Sequence, residues 1–226
     1  MKRIVFLFFL TTTVFTSNAQ SIRVYEHIGL SIATANKVTV PSIAYTQTLE
    51  FGRERSYRIG TGFRLNYFNL KNRTFDGVET KIKQVSITPN PKFNGASVNI
   101  PIVAEFHTKK IILGVNIDII GMSFGKIREG ENLKVDNYVG TLDSLNASPR
   151  SLSLLLLGKN NRGTLNSELY LGYKVSDELT VRAGISSLSS SFTSRYTPKS
   201  GKETTLGRFQ TSQIMPFFSL VFNLER

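Results

Sequence analysis

The chain has 226 residues, 40% of them hydrophobic, and a formal charge of +12. It contains no cysteine, which excludes disulfides, thiol chemistry and a cysteine-linked lipid anchor. A basic balance often points to nucleic acid, but an exported chain rarely meets it, so phosphate-bearing lipids and acidic glycans suit it better.

Export is read from the first residues. Lys2 and Arg3 give a positive start, Ile4 to Leu10 form an apolar run, and Ser17-Asn18-Ala19 offers small residues before Gln20. This is the pattern of a cleaved signal peptide over 1–19. A membrane anchor would need about 20 apolar residues, and this run dissolves into Thr11–Thr13 first. Residues 20–226 are read as one domain, whose formal charge falls to +10 once Lys2 and Arg3 are removed.

Eight segments of alternating apolar and polar residues follow. The first, Ile22–Thr34, puts Ile22, Val24, Ile28, Leu30 and Ile32 on one face. The second, Val40–Phe51, carries Ile43, Tyr45, Leu49 and Phe51, and a turn over Gly52–Ser56 leads to the third. That segment, Tyr57–Phe68, aligns Tyr57, Ile59, Phe63, Leu65 and Tyr67. The fourth, Ser97–His107, aligns Val98, Ile100, Ile102, Ala104 and Phe106. After Lys109-Lys110 the fifth, Ile111–Phe124, aligns Ile111, Leu113, Val115, Ile117 and Ile119. The sixth, Thr164–Val175, gives Leu165, Leu169, Leu171, Tyr173 and Val175. Beyond Ser176–Glu178 the seventh, Leu179–Leu188, gives Leu179, Val181, Ala183 and Ile185. The last, Thr211–Glu225, keeps Phe218, Leu220, Phe222 and Leu224 in step.

The connections alternate in length. Short turns follow segments two, four and six; long stretches follow three, five and seven, at Asn69–Ala96, Gly125–Gly163 and Ser189–Arg208. Only the first loop, near Ala35–Thr39, is short on the long-loop side. An even strand count with both ends on the short-turn side predicts an antiparallel barrel spanning the outer membrane, with both termini in the periplasm.

A soluble barrel would instead turn its apolar face inward. Cross-strand pairing argues for the opposite. The short turns set Glu50 against Arg58, Thr48 against Gly60, Glu105 against Gly114, Pro101 against Asp118 and Gly172 against Arg182. Opposite charges and large-against-small pairs suit a narrow, filled interior. The expected lumen network is Glu50, Arg58, Arg64, Glu105, His107, Asp118, Glu168 and Arg182. Phe51, Tyr57, Phe106, Tyr173 and Phe222 lie on the apolar face near the short turns, where a periplasmic aromatic girdle belongs. Glu26 alone breaks the apolar face; either it sits near the periplasmic end or a bulge turns it over.

The run Val98-Asn99-Ile100-Pro101-Ile102-Val103-Ala104-Glu105-Phe106, a tight turn, and Ile111-Ile112-Leu113-Gly114-Val115 resemble the central hairpin of small outer-membrane barrel domains. These are the porin-family or PorT-like barrels, related to the OmpA/OmpX type. The resemblance covers essentially the whole of 20–226. It implies an eight-stranded, up-and-down transmembrane barrel in the bacterial outer membrane, inserted by the assembly machinery there. Members serve secretion, adhesion and envelope integrity. Many end on an aromatic residue, whereas here Glu225-Arg226 follow Leu224.

Chemistry is sparse. His107 and Glu105 could act as base and orienter, but would need a serine in reach; charge neutralisation inside the lumen is the simpler reading, and His27 receives the same one. His27, His107, Glu105 and Asp118 lack the spacing of metal ligands. Gly60-Thr61-Gly62 lies within a strand, with no helix after it to hold phosphate. No catalytic residue, cofactor or metal is therefore assigned.

The long loops hold a basic excess: Lys71, Arg73, Lys81, Lys83 and Lys92 against Asp76 and Glu79, then Arg195, Lys199, Lys202 and Arg208 against Glu203. Beside lipopolysaccharide, these side chains could bind its phosphates. Pro149–Lys159, with its leucines, is read first as an upward extension of the sixth strand, otherwise as an amphipathic helix or an inward plug. The sum is a non-catalytic scaffold. Its expected partners are outer-membrane lipids, lipopolysaccharide phosphates and an envelope or secretion protein, not nucleic acid. The alternatives are a component of a secretion or envelope assembly, a lipid A-modifying enzyme and a small pore.

Overall fold

A computed structural model describes residues 23–52, 54–71, 75–80, 86–88, 92–125, 134–136, 145–149, 152–155, 163–196 and 204–224. The expected signal peptide lies outside them, as do Arg73, Lys81, Lys83, Lys199, Lys202 and Glu203. Among the described residues thirteen strands are formed: β1 (Arg23–Ala35), β2 (Val38–Phe51), β3 (Tyr57–Lys71), β4 (Phe75–Thr80), β5 (Ser86–Thr88), β6 (Lys92–His107), β7 (Ile111–Phe124), β8 (Lys134–Asp136), β9 (Leu145–Pro149), β10 (Leu152–Leu154), β11 (Leu165–Lys174), β12 (Leu179–Tyr196) and β13 (Thr204–Leu224).

Eight of these close a barrel. Strands β1, β2, β3, β6, β7, β11, β12 and β13 pair antiparallel in that order, and β13 returns to β1. All five cross-strand pairs expected from the short turns are in register. Following the rungs from Phe51 through Tyr57, Phe106, Leu113, Leu171, Ala183, Phe218 and Ile32 returns to β2 at Pro41, ten residues from the start. That offset over eight strands corresponds to a tilt of roughly 40° and a radius of about 8 Å, a bore that side chains fill.

The outer surface is mainly apolar between the rims. Phe63, Leu171 and Val24 are 61%, 61% and 58% exposed, whereas Arg64, next to Phe63, is 1% exposed. Alternation alone produces this contrast, because successive side chains leave a strand on opposite faces. Glycines let the sheet curl tightly on the inside. A Cβ on Gly62 would stand 1.9 Å from the carbonyl oxygen of Tyr45, so no larger residue fits there without moving the neighbouring strand.

Three expectations are corrected. The first concerns β7, where the register with β6 shifts between Ile100 and Pro101, leaving Ile119 as the extra residue. Proline has no N–H for the ladder and is found in sheets at such irregularities. The outward series therefore passes from Ile117 to Ile120, Met122 and Phe124, not through Ile119 as the alternation predicted.

Second, the long connections are largely sheet. Strand β4 pairs with β13, β5 with β4, β8 with β5, and β9 with β12, so the sheet continues past the barrel rim. The hairpin of β12 and β13 stays paired out to Tyr196 and Thr204, through most of what alternation left as a free loop. Arg208, expected on that loop, is buried within β13.

Third, the stave between β7 and β12 comes in two pieces. Strand β10 pairs with β7 from Leu152 opposite Met122 to Leu154 opposite Ile120, and β11 takes over at Glu168 opposite Asn116. Of the Pro149–Lys159 run expected as an upward extension of β11, Leu152–Leu154 form a separate strand beside β7 and Pro149 pairs with Phe192 in β9; residues 156–162 lie outside the described ones.

Candidate functional site: the closed lumen

Inward-pointing side chains divide the lumen into three levels. The lowest, at the rim with the short turns, is built on arginine–carboxylate pairs. Arg58 donates to Glu50 Oε1 from Nη2 at 3.0 Å and from Nε at 3.2 Å. Its guanidinium also lies 3.9 Å from the centre of the Tyr25 ring, a cation–π contact across the mouth. Glu105 accepts from Arg182 Nη2 at 2.7 Å and from the Tyr170 hydroxyl at 2.6 Å, and His107 Nε2 lies 2.7 Å from its other oxygen. Gly114 is the register partner of both Glu105 and Tyr170. A Cβ there would meet the Tyr170 ring at 2.4 Å, so the glycine makes room for the ring. His27 bridges Asn223 at 2.8 Å and Thr48 at 3.1 Å.

The middle level is centred on Arg64. Its guanidinium contacts Asp118, lies 2.7 Å from Glu168 Oε1 through Nη1, and donates to the carbonyl of Asn166 at 2.6 Å. Asp118 also accepts from the Asn99 amide and, at 2.8 Å, from the backbone N–H of Asn166. Asn166 lies above the point where β11 begins to pair with β7. The ion pair thus satisfies both polar groups of one residue's backbone where the neighbouring strand supplies no rung, and such groups must find partners when buried. Glu168 Oε2 accepts from Asn116 at 3.1 Å.

The upper level is largely apolar, with the hydrogen-bonded Thr164 and Ser190 buried beside it. Ala33, Val38, Val40, Phe68, Leu70, Leu188, Met215 and Phe217 are buried together, and Phe75 and Phe192 cap them with ring centres 4.6 Å apart, edge to face. Alternation had assigned only polar side chains to the interior. Yet Phe68 and Leu70 share the parity of Arg64 and Asn66, and that continuation was the available signal.

The eight residues expected in the lumen, Glu50, Arg58, Arg64, Glu105, His107, Asp118, Glu168 and Arg182, all lie inside, joined into the two lower levels. Sequence reasoning passed over Tyr25, Asn99, Asn166 and Tyr170, which complete those levels. His107 Nδ1 has no hydrogen-bond partner among the described residues, so no serine is joined to it as a nucleophile. Among the described residues no group of three or more ligating side chains is placed to hold a metal ion.

Phe51, Tyr57, Phe106, Tyr173 and Phe222 are all on the outside, 40–51% exposed, near the same rim. The rings of Phe51, Tyr57 and Phe106 follow one another around it at 5.8 and 5.4 Å. Glu26 is outward too, and β1 keeps its register on both sides, so no bulge turns it over. It pairs with Leu224, one outward position from Phe222, which puts its carboxylate near the aromatic level. Gln47 donates to it at 3.4 Å and to the Tyr45 hydroxyl at 2.8 Å.

A closed ladder with apolar side chains outside and ionised ones inside is the form a strand-built protein takes across a bilayer. This is an eight-stranded barrel of the bacterial outer membrane. No protein-family model matches the chain, and no curated protein matches it. Among solved structures, the chain is similar to a major outer membrane protein of Thermus thermophilus, with 11% identity, a TM-score of 0.45, and 89% of this chain and 99% of that one covered. It is also similar to the outer membrane protein Ail of Yersinia pestis, with 8% identity, a TM-score of 0.38, and 89% and 100% covered.

Proposed function

We propose that this outer-membrane barrel is a non-catalytic scaffold of the PorT-like, porin-family kind. It anchors a structured outer sheet and a basic rim at the cell surface, where they serve envelope integrity or surface contacts. The observation that carries the reading is the filling of the bore: two layers of paired charges under a plug of buried apolar side chains. A barrel so filled passes no solute, and among the described residues the His107–Glu105 pair is joined to no serine, its one hydroxyl partner being Tyr170. The partners proposed are outer-leaflet lipids with their lipopolysaccharide phosphates, and an envelope protein seated on the outer sheet.

Three measurements test this. Single-channel recording of the purified barrel in a planar bilayer is expected to show no conductance, and steady openings overturn the scaffold reading in favour of a pore. Lipid A from cells with and without the protein is expected to have the same mass; a lost or gained acyl chain makes it an enzyme. A second reading, a component of a secretion or envelope assembly, is favoured by the sheet that β4, β5, β8 and β9 add above the rim. Co-purification of one stoichiometric partner from native membranes decides for it.

A further inference from the structure

The outer surface of β3 and β6 changes character in regular steps as it rises. Leu65 pairs with Val98, then Tyr67 with Ala96, then Asn69 with Asn94, and last Lys71 with Lys92. Leu65 and Tyr67 are exposed, Asn69 is half-buried and Lys71 is exposed. The order is aliphatic, aromatic, amide, ammonium. A bilayer presents the same order from its hydrocarbon through its interface to its phosphates, and aromatic and cationic side chains settle at the matching depths.

The top step gathers three lysines. Lys71 and Lys92 are direct partners, and like charges so placed repel. The turn between β1 and β2 adds a third, because Lys71 N–H donates to the carbonyl of Lys37 at 2.8 Å. Lys37 has a left-handed backbone, φ 66°, uncommon without glycine. Its side chain and that of Lys71 are exposed, and no described ion pair includes either. No carboxylate shares the rows beneath. Lys37 and Lys71 are tied together through their backbones, and Lys92 is the register partner of Lys71, so three cationic residues meet at one sector of the rim, a set complementary to a phosphate.

We infer that Lys37, Lys71 and Lys92 form a binding site for a phosphate of an outer-leaflet glycolipid, whose acyl chains lie along Leu65 and Tyr67 below. This rests on the orientation proposed above, with the long-connection end outside the cell, and it narrows the general basic excess to one sector of the rim.

The test uses native mass spectrometry of the full-length, detergent-solubilised barrel with lipid A, and with dephosphorylated lipid A as the control. Wild type is expected to bind the phosphorylated form about tenfold more tightly. Replacing all three residues by glutamine (Lys37→Gln, Lys71→Gln, Lys92→Gln) is expected to erase that preference, while the heat-dependent gel shift of the folded barrel stays as in wild type. Equal affinity of wild type for both lipids, or an undiminished preference in the triple variant, overturns the site. Displacement of lipid A by equimolar inorganic phosphate also overturns it, assigning the lysines to free anions. Orientation is checked apart from binding, with Asn36→Cys and an impermeant maleimide, since the chain has no cysteine of its own. Labelling in intact cells is expected; labelling only after permeabilisation overturns the orientation and this site together.

Discussion

The lower and upper halves of the lumen solve one problem in two ways. Both must fill a bore of about 8 Å radius. The lower half does so with long charged side chains from facing strands, each acid meeting an arginine; the upper does so with phenylalanine, leucine, valine and methionine. Charged filling tolerates a wet mouth, whereas apolar filling holds only where water is kept out by more protein above it. Here the continuation of β12 and β13, with β4 beside them, provides that cover. The difference teaches that closure is directional: paired charge faces the short-turn end, and the hydrophobic seal faces the end with the long connections.

The sharpest way to break this comparison is Asp118→Ala. It strips Arg64 of a buried counter-ion and leaves the Asn166 N–H without a partner, so a loss of about 3–5 kcal/mol is expected. Urea unfolding of the barrel refolded in lipid vesicles measures it; a loss below ~1 kcal/mol means the middle level holds nothing together. Next in size is Phe192→Ala, expected to cost about 3 kcal/mol, felt mainly above the rim. Hydrogen exchange should quicken in β4 and the outer part of β13 while the Glu105 level of β6 stays protected, and uniform quickening would merge the two halves into one unit.

Arg58→Ala should cost about 2 kcal/mol by leaving Glu50 buried and unpaired. Removing Glu50 as well should recover most of that loss, and additive costs in the double-mutant cycle would show that the pair is not coupled. The smallest effect comes from spin labels on cysteines replacing Leu113 and Ile117, where lipid-facing labels should change stability by within ~0.5 kcal/mol. They are expected to report acyl chains, and a label at Asn116 is expected not to.

Most of the barrel was legible because a bilayer-spanning strand has an apolar face and a polar one, and alternation records both. Glu50 with Arg58 and Gly172 with Arg182 could be paired from turn length alone, since a hairpin fixes its register. Legibility failed wherever a strand left the membrane. Above the rim both faces of β12 are covered, Ser190 and Ser191 alike, so the period of two fades and the stretch resembles a loop. Strand β4 was missed because its six residues, Phe75–Thr80, are too few and too polar to show an alternation. The bulge at Ile119 hid because three isoleucines in four positions, Ile117, Ile119 and Ile120, satisfy either register. The Asn166 backbone clamp left no trace in composition; only the fold brings Asp118 to it.

The overhang of the last hairpin has a practical side. From Ile214, among the described side chains the uppermost apolar one exposed on the outside of β13, ten further residues run to Thr204, paired along most of their length with β12. At ~3.3 Å each and a lean of roughly 40°, they lift the tip some ~25 Å above the hydrocarbon. A mast of that height clears lipid head groups, so on the orientation proposed above antibodies or phage arriving from outside meet the Tyr196–Thr204 end of the hairpin early. On that orientation an epitope grafted between the two strands would be carried at the end of a paired hairpin, a means of presenting peptides on living bacteria.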